Sequence, residues 1–266
     1  MFGWLRRRRA PRPIPDLAWQ QLLLGHGYLA DRPPAEVAQL RVLAGYFLGE
    51  KEFHGAHGFE ITDEVALAIA AQAVLPLLHL APPHNPAAAL AWFDDFVGIV
   101  VHRDEVIARR TIADEAGVVH QYQEVLAGEA MDGGPVMLNW KDVAAAGASA
   151  AHGYNVVIHE FIHKIDLRDG QADGCPPLPS RARRQAWMAL MQEEYERFRN
   201  DVVMAQRFGA EAPWLDAYGA EGIDEFFAVA GEAYFVNRPR FAQDFAPLLT
   251  LFDSFFAPQH AARRGA

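Results

Sequence analysis

A lone cysteine, Cys175, is the only thiol in this 266-residue chain, so no intrachain disulfide can brace it, which fits a reducing compartment. Positive charge is also scarce. The 24 Lys and Arg residues stand against 34 Asp and Glu, a formal net charge of −10, and the sequence pI is near 5.5. That balance argues against a nucleic-acid binder acting by phosphate neutralisation. The one basic concentration, Arg6 to Arg9 with Arg12, lies in a Pro-rich stretch and reads as a flexible, solvated tail over residues 1–15. No apolar segment of useful length follows Met1 to Leu5, so no signal peptide is expected. Long hydrophobic runs are absent but for one. Glu64 to Leu80 approaches the length of a membrane span, yet it is Ala-rich, carries Gln72, Pro76 and His79, and starts from a Thr62-Asp63-Glu64 cap. It reads as a buried core helix. The expectation is a cytoplasmic protein with no membrane span, no direct nucleic-acid partner and no internal repeat.

Hydrophobic residues make up 51% of the chain, enough to build a single domain over residues 16–257, with 258–266 as a C-terminal tail. Helical periodicity fills 16–50, with a second helix beginning near Pro34. Gly55 to Phe59 reads as a turn-rich link. Strand signals follow at Phe96–Val101, Val118–Val125 and Val136–Asn139. Helices are then expected at about 152–166, 180–200, 223–236 and 245–256. The predicted class is α+β, mainly helical, with a small mixed sheet ahead of the helix at 152–166. Val136–Asn139 follows the turn signal Asp132-Gly133-Gly134-Pro135 and is expected to be an edge strand to which an extended peptide could add.

Within the helix at 152–166, His159-Glu160-Phe161-Ile162-His163 forms an HExxH pentapeptide. Residues four apart share a helix face, so both imidazoles can reach one metal ion, and Glu160 stands beside them to take a proton from a water that the metal activates. So short a pattern also arises by chance, and its context has to decide. Tyr154 to Ile158, Phe161, Ile162 and Ile165 make the segment apolar on most sides, as in a buried helix. Two histidines and a glutamate are costly there unless something satisfies them, and a metal does. The chemistry this predicts is peptide-bond hydrolysis with one zinc ion per chain.

Catalytic zinc usually takes three protein ligands and keeps a position for water. Three candidates compete for the third place. Asp169 lies six residues after His163, but Asp166 stands where such extended motifs need a glycine. Glu193 or Glu194 lies on the next helix, among charges that look like an ordinary solvated face. Glu225 shares a face with Glu232, seven residues on, in a helix that is otherwise apolar nearly all round. Two buried carboxylates need cations or donors. Ligation by one and a hydrogen bond from the other to a ligand histidine or a backbone group would meet both needs, so Glu225 is the favoured ligand.

Gly134 to Trp140, Gly153 to Asp166, Asp216-Ala217-Tyr218 and Glu225 to Val229 together resemble the Mlc titration factor A family, and Gly58-Phe59-Glu60 before the long apolar helix fits as well. The likeness runs from about residue 16 to 256. The family's core is in turn similar to the peptidase domain of anthrax lethal factor. The resemblance implies a zincin-like fold, zinc on His159, His163 and Glu225, Glu160 as general base, and Tyr218, seven residues before Glu225, as hydrogen-bond donor to the oxyanion. It further implies a soluble cytoplasmic, aminopeptidase-like enzyme acting on small peptides. Some members bind the Mlc transcriptional repressor and so affect glucose phosphotransferase expression. The Arg-rich tail and the residues after Ala257 lie outside the matching blocks. A regulatory binding protein that sequesters such a repressor is the alternative reading.

Overall fold

The computed structural model describes residues 10–82, 84–104, 106–113, 119–126, 128–130 and 133–258. Its first three helices are α1 (Asp16–Gly25), α2 (Gly27–Ala30) and α3 (Pro34–Glu50), the last opening on the expected proline. Residues 10–14, part of the expected tail, run along α3. The Arg12 amide donates to the Gly45 carbonyl at 2.9 Å, and the Arg41 guanidinium donates to the Ile14 carbonyl. Glycine is required beneath this segment, because a Cβ on Gly45 would lie 2.9 Å from the Arg12 carbonyl oxygen. Arg6 to Arg9 lie outside the described residues.

Next come β1 (Glu52–Gly55) and α4 (Asp63–Ala73), whose start is capped by the Thr62 hydroxyl accepting the Val65 amide at 3.3 Å. Every residue of α4 from Val65 on is buried, as its continuous apolar sequence demands. After α5 (Pro86–Leu90) the chain enters β2 (Gly98–His102), β3 (Val106–Ala113), β4 (Val119–Leu126), β5 (Gly128–Ala130) and β6 (Val136–Asn139). Helices complete it: α6 (Trp140–Ser149), α7 (Val156–Asp166), α8 (Arg181–Phe208), α9 (Ile223–Val236), α10 (Arg238–Asp244) and α11 (Ala246–Phe256). The protein is thus mainly helical with a small sheet. Among the described residues no helix is long and apolar enough to cross a membrane.

The sheet is mixed, as expected, but the edge position expected for Val136–Asn139 needs correction. Its order is β1-β2-β6-β5, with β1, β2 and β6 parallel and β5 antiparallel to β6. Val136–Asn139 is therefore an interior strand, flanked by β2 and β5. Pro135 precedes the first ladder residue, so its missing N–H costs no sheet hydrogen bond and does not mark an edge. The edge is β5, a three-residue Gly-Glu-Ala segment with no hydrophobic signature. The expected strand at 118–125 pairs with β3 in a separate antiparallel ribbon, and Val118 itself lies outside the described residues. Gly55, read as part of a link, ends β1, whose Glu-Phe-His-Gly sequence is too short to show alternation.

Helix α7 is held from behind by aromatic packing. Phe161 sits 4.9 Å from the ring of Phe93 and 5.6 Å from that of Phe47. On the other side α9 packs directly against α7 at Gly231, where a Cβ would meet Ile162 Cγ1 at 2.9 Å. Lys164, fully buried, ties the end of α7 to Asp95 at 3.0 Å and to the Gly134 carbonyl ahead of β6 at 3.2 Å.

Candidate metal centre

Helix α7 begins at Val156 rather than near 152 because Asn155 caps it, its side-chain oxygen accepting the Ile158 amide at 2.9 Å. Gly153, just upstream, takes a left-handed φ of 77° against the Trp214 ring. From this start His159, Glu160 and His163 follow, with both imidazoles on the face toward α9 and their ring centroids 4.8 Å apart. Glu225 stands in the first turn of α9, where the helix dipole favours a carboxylate.

The structure brings His159, His163 and Glu225 together. Glu225 Oε2 lies 3.2 Å from His159 Nε2 and 3.1 Å from His163 Nε2, and the two Nε2 atoms are 3.1 Å apart. A tetrahedral ion with ligands at ~2.0–2.1 Å separates them by about 3.3–3.4 Å, so this donor set has the size a single zinc-like ion needs. Its chemistry fits too, since two ring nitrogens and an acceptor-only carboxylate oxygen converge on one point that a cation satisfies at once.

Glu232, two turns along the same face of α9 from Glu225, does both things the sequence offered as alternatives. Its Oε1 accepts from His159 Nδ1 at 2.7 Å, and its Oε2 accepts the Asn155 backbone amide. Because that amide can only donate, Glu232 Oε2 is held as an acceptor. With a metal on Nε2, His159 would carry its proton on Nδ1 and donate it to Glu232 Oε1.

Electrostatics sharpen this arrangement. Burial pushes the Glu160 carboxyl up to about 7, against the pull of the neighbouring imidazoles, and its Oε2 is buried with no hydrogen-bond partner. Burial alone would lower His159, but hydrogen bonds to Glu225 and Glu232 outweigh it and raise the imidazole well above its ordinary value. Glu225 moves the other way: burial opposes ionisation, yet the two imidazoles hold it well below the usual carboxylate range. Tyr218 sits in a 3-10 turn over Ala217–Ala220 that Asp216 caps by accepting the Tyr218 amide at 2.9 Å. Its hydroxyl donates to Glu225 Oε1 at 3.3 Å, and its ring centroid is 6.0 Å from that of His159.

The other ligand candidates are occupied elsewhere. Asp169 accepts from Arg184 at 3.2 Å, Glu194 pairs with Arg197, and Glu193 is exposed. The sequence reading passed over Asn155 as the cap of α7. Its signal was a lone Asn immediately before an apolar helical run.

Residues 2–257 match the family described as glucose-regulated metallo-peptidase M90. An uncharacterised Synechocystis protein is 32% identical over 236 residues, 88% of this chain and 81% of the relative. Proteins named Mlc titration factor A are similar at 30% identity, from Klebsiella pneumoniae (96% of this chain, 91% of the relative) and Serratia proteamaculans (99% and 95%). With a match over nearly its whole length, this chain belongs to the glucose-regulated metallo-peptidase M90 family, and the membership implies a metal ion.

Proposed function

We propose that the protein is a zinc-dependent peptidase of zincin-like fold, aminopeptidase-like on short peptides and working in the cytoplasm. His159, His163 and Glu225 hold the metal, Glu160 is the general base and Tyr218 the oxyanion donor. A zinc ion held there supplies Lewis acidity and brings the pKa of water down to about 7. Glu160 takes the proton of the attacking water. Its unpartnered, buried Oε2 supports this role, since a carboxylate with no internal donor is free to accept, and a pKa near 7 suits proton transfer at neutral pH. Once protonated, Glu160 delivers the proton to the leaving amine. Tyr218, at hydrogen-bond distance from a ligand oxygen, is close enough to donate to the oxygen on which negative charge develops. Strand β5, which ends the sheet and packs beside α7, offers the edge to which an extended substrate adds.

The observation that carries the reading is the convergence of Nε2, Nε2 and Oε2 within one ion's reach, beside a glutamate with an unused oxygen. Glu160→Gln tests it. Zinc content should remain at one per chain while cleavage of amino-acid anilides and short peptides falls by several orders of magnitude. Full activity in that variant would sink the mechanism. Unchanged zinc stoichiometry in Glu225→Ala would remove Glu225 as a ligand.

The relatives' name, Mlc titration factor A, favours a second reading in which the chain binds an Mlc-like transcriptional repressor. Catalysis and sequestration separate in one experiment, because capture of the repressor should survive Glu160→Gln if binding alone is the function.

A further inference from the structure

Behind His159 the polar contacts do not stop at Glu232. Asn155 Nδ2 donates to Gln72 Oε1 at 2.8 Å and to the Tyr28 hydroxyl at 2.9 Å, and that hydroxyl donates to Gln72 Oε1 at 3.0 Å. Gln72 Nε2 closes the set by donating to the Ala68 carbonyl at 2.9 Å. Gln72 and Asn155 are completely buried, and Glu232 nearly so. The direction of every bond is determined. Asn155 Oδ1 is committed to the Ile158 amide, so its NH2 must face Gln72 and Tyr28. Gln72 must then present its oxygen to Asn155, and turns its own NH2 to Ala68.

We infer that Tyr28, Gln72 and Asn155 are positioning residues for the metal centre, a buried relay that fixes the Asn155 backbone amide against Glu232 and thereby the orientation of His159. The inference rests on the reading of His159 as a metal ligand. It explains a lone glutamine in the apolar, buried run of α4 from Val65 to Ala73. A core helix has no use for a polar side chain unless every polar atom is matched, and here each is. It also couples the metal helix to two helices, α2 and α4, that contribute no ligand and belong to the first third of the chain. Outer partners of this kind orient ligand imidazoles and alter metal affinity by about 10–100-fold when removed.

Gln72→Met keeps the volume of the side chain and removes its acceptor, while Tyr28→Phe removes one hydroxyl from a half-buried side chain and should leave the fold intact. Both proteins are purified full length, checked for cooperative thermal unfolding, and stripped of metal. Hydrogen exchange of the Asn155 backbone amide in metal-free protein should be slow in the wild type and about tenfold faster in the variants. Zinc dissociation constants, read by competition with a chromogenic chelator, should rise about tenfold. An unchanged Asn155 amide exchange rate together with zinc affinity within twofold of wild type, in a folded Tyr28→Phe or Gln72→Met protein, overturns the inference. A wild type that takes up no zinc sinks the reading of the site instead, and the amide-exchange measurement still decides the relay.

Discussion

Replacing Gly231 with alanine would place a methyl group where α9 crosses α7. The added Cβ would lie 2.9 Å from Ile162 Cγ1 and 3.2 Å from Cδ1, and Ile162 is wholly buried, one residue before His163. Carbon atoms pack at about 3.5–4.0 Å, so the helices must separate by roughly 0.5–1 Å. Two opposing terms act on stability. Alanine in a helix interior gains about 0.8–1 kcal/mol over glycine. Overpacking costs about 1–3 kcal/mol. The expected net loss is therefore at most about 2 kcal/mol, and the protein stays folded. Geometry at the metal suffers more, because Glu225 and Glu232 ride on α9 while both histidines ride on α7, with their contacts now at 2.7–3.2 Å. A 1 Å misplacement costs on the order of a hundredfold in rate. Zinc titration and peptide hydrolysis on Gly231→Ala should thus show a drop far beyond the change in thermal midpoint. Adding Ile162→Ala makes room for the methyl and should recover part of the zinc affinity, despite its own loss of about 2–5 kcal/mol in stability. Wild-type zinc affinity and turnover in Gly231→Ala, with a raised midpoint from helix propensity alone, would refute the claim that this contact sets the site.

Three further outcomes are expected. Glu232→Gln keeps the side-chain shape but can present an NH2 to the Asn155 amide or to His159, so zinc should bind about 10–100-fold more weakly; equal affinity by chelator competition would contradict the role given to Glu232. Tyr218→Phe should lower kcat by about 10²–10³ with little change in KM, and steady-state kinetics in which KM alone moves would assign Tyr218 to substrate binding instead. Phe161→Ala opens a cavity between Phe47 and Phe93 behind α7 and should cost about 3–5 kcal/mol, read by urea denaturation of the metal-free protein.

What could be read in advance follows from how far along the chain each signal extends. The HExxH spacing put His159, Glu160 and His163 on one helix because a helix converts a separation of four residues into a shared face. The same logic paired Glu225 with Glu232 and marked both as needing partners, since the rest of α9 is apolar. Helices α4, α9 and α11 were legible because their continuous apolar sequence permits little else. Helix α8 runs to Phe208, past the expected end near 200, because its charged face gives no stop signal before the left-handed Gly209.

Tertiary structure alone decided the rest. That Val136–Asn139 is interior depends on β5, three residues with no hydrophobic pattern, whose place is given by a partner strand and not by its own composition. That Glu232 reaches both His159 and the Asn155 amide depends on how closely α9 can approach α7, a distance set by a missing side chain at Gly231. That Gln72 and Tyr28 stand behind Asn155 depends on the docking of helices more than eighty residues away in sequence. By itself the sequence determined which residue types could hold a metal and on which helix faces they lie, because local geometry carries that information. Which faces meet, and at what separation, is the outcome of packing over the whole core, which no local pattern encodes.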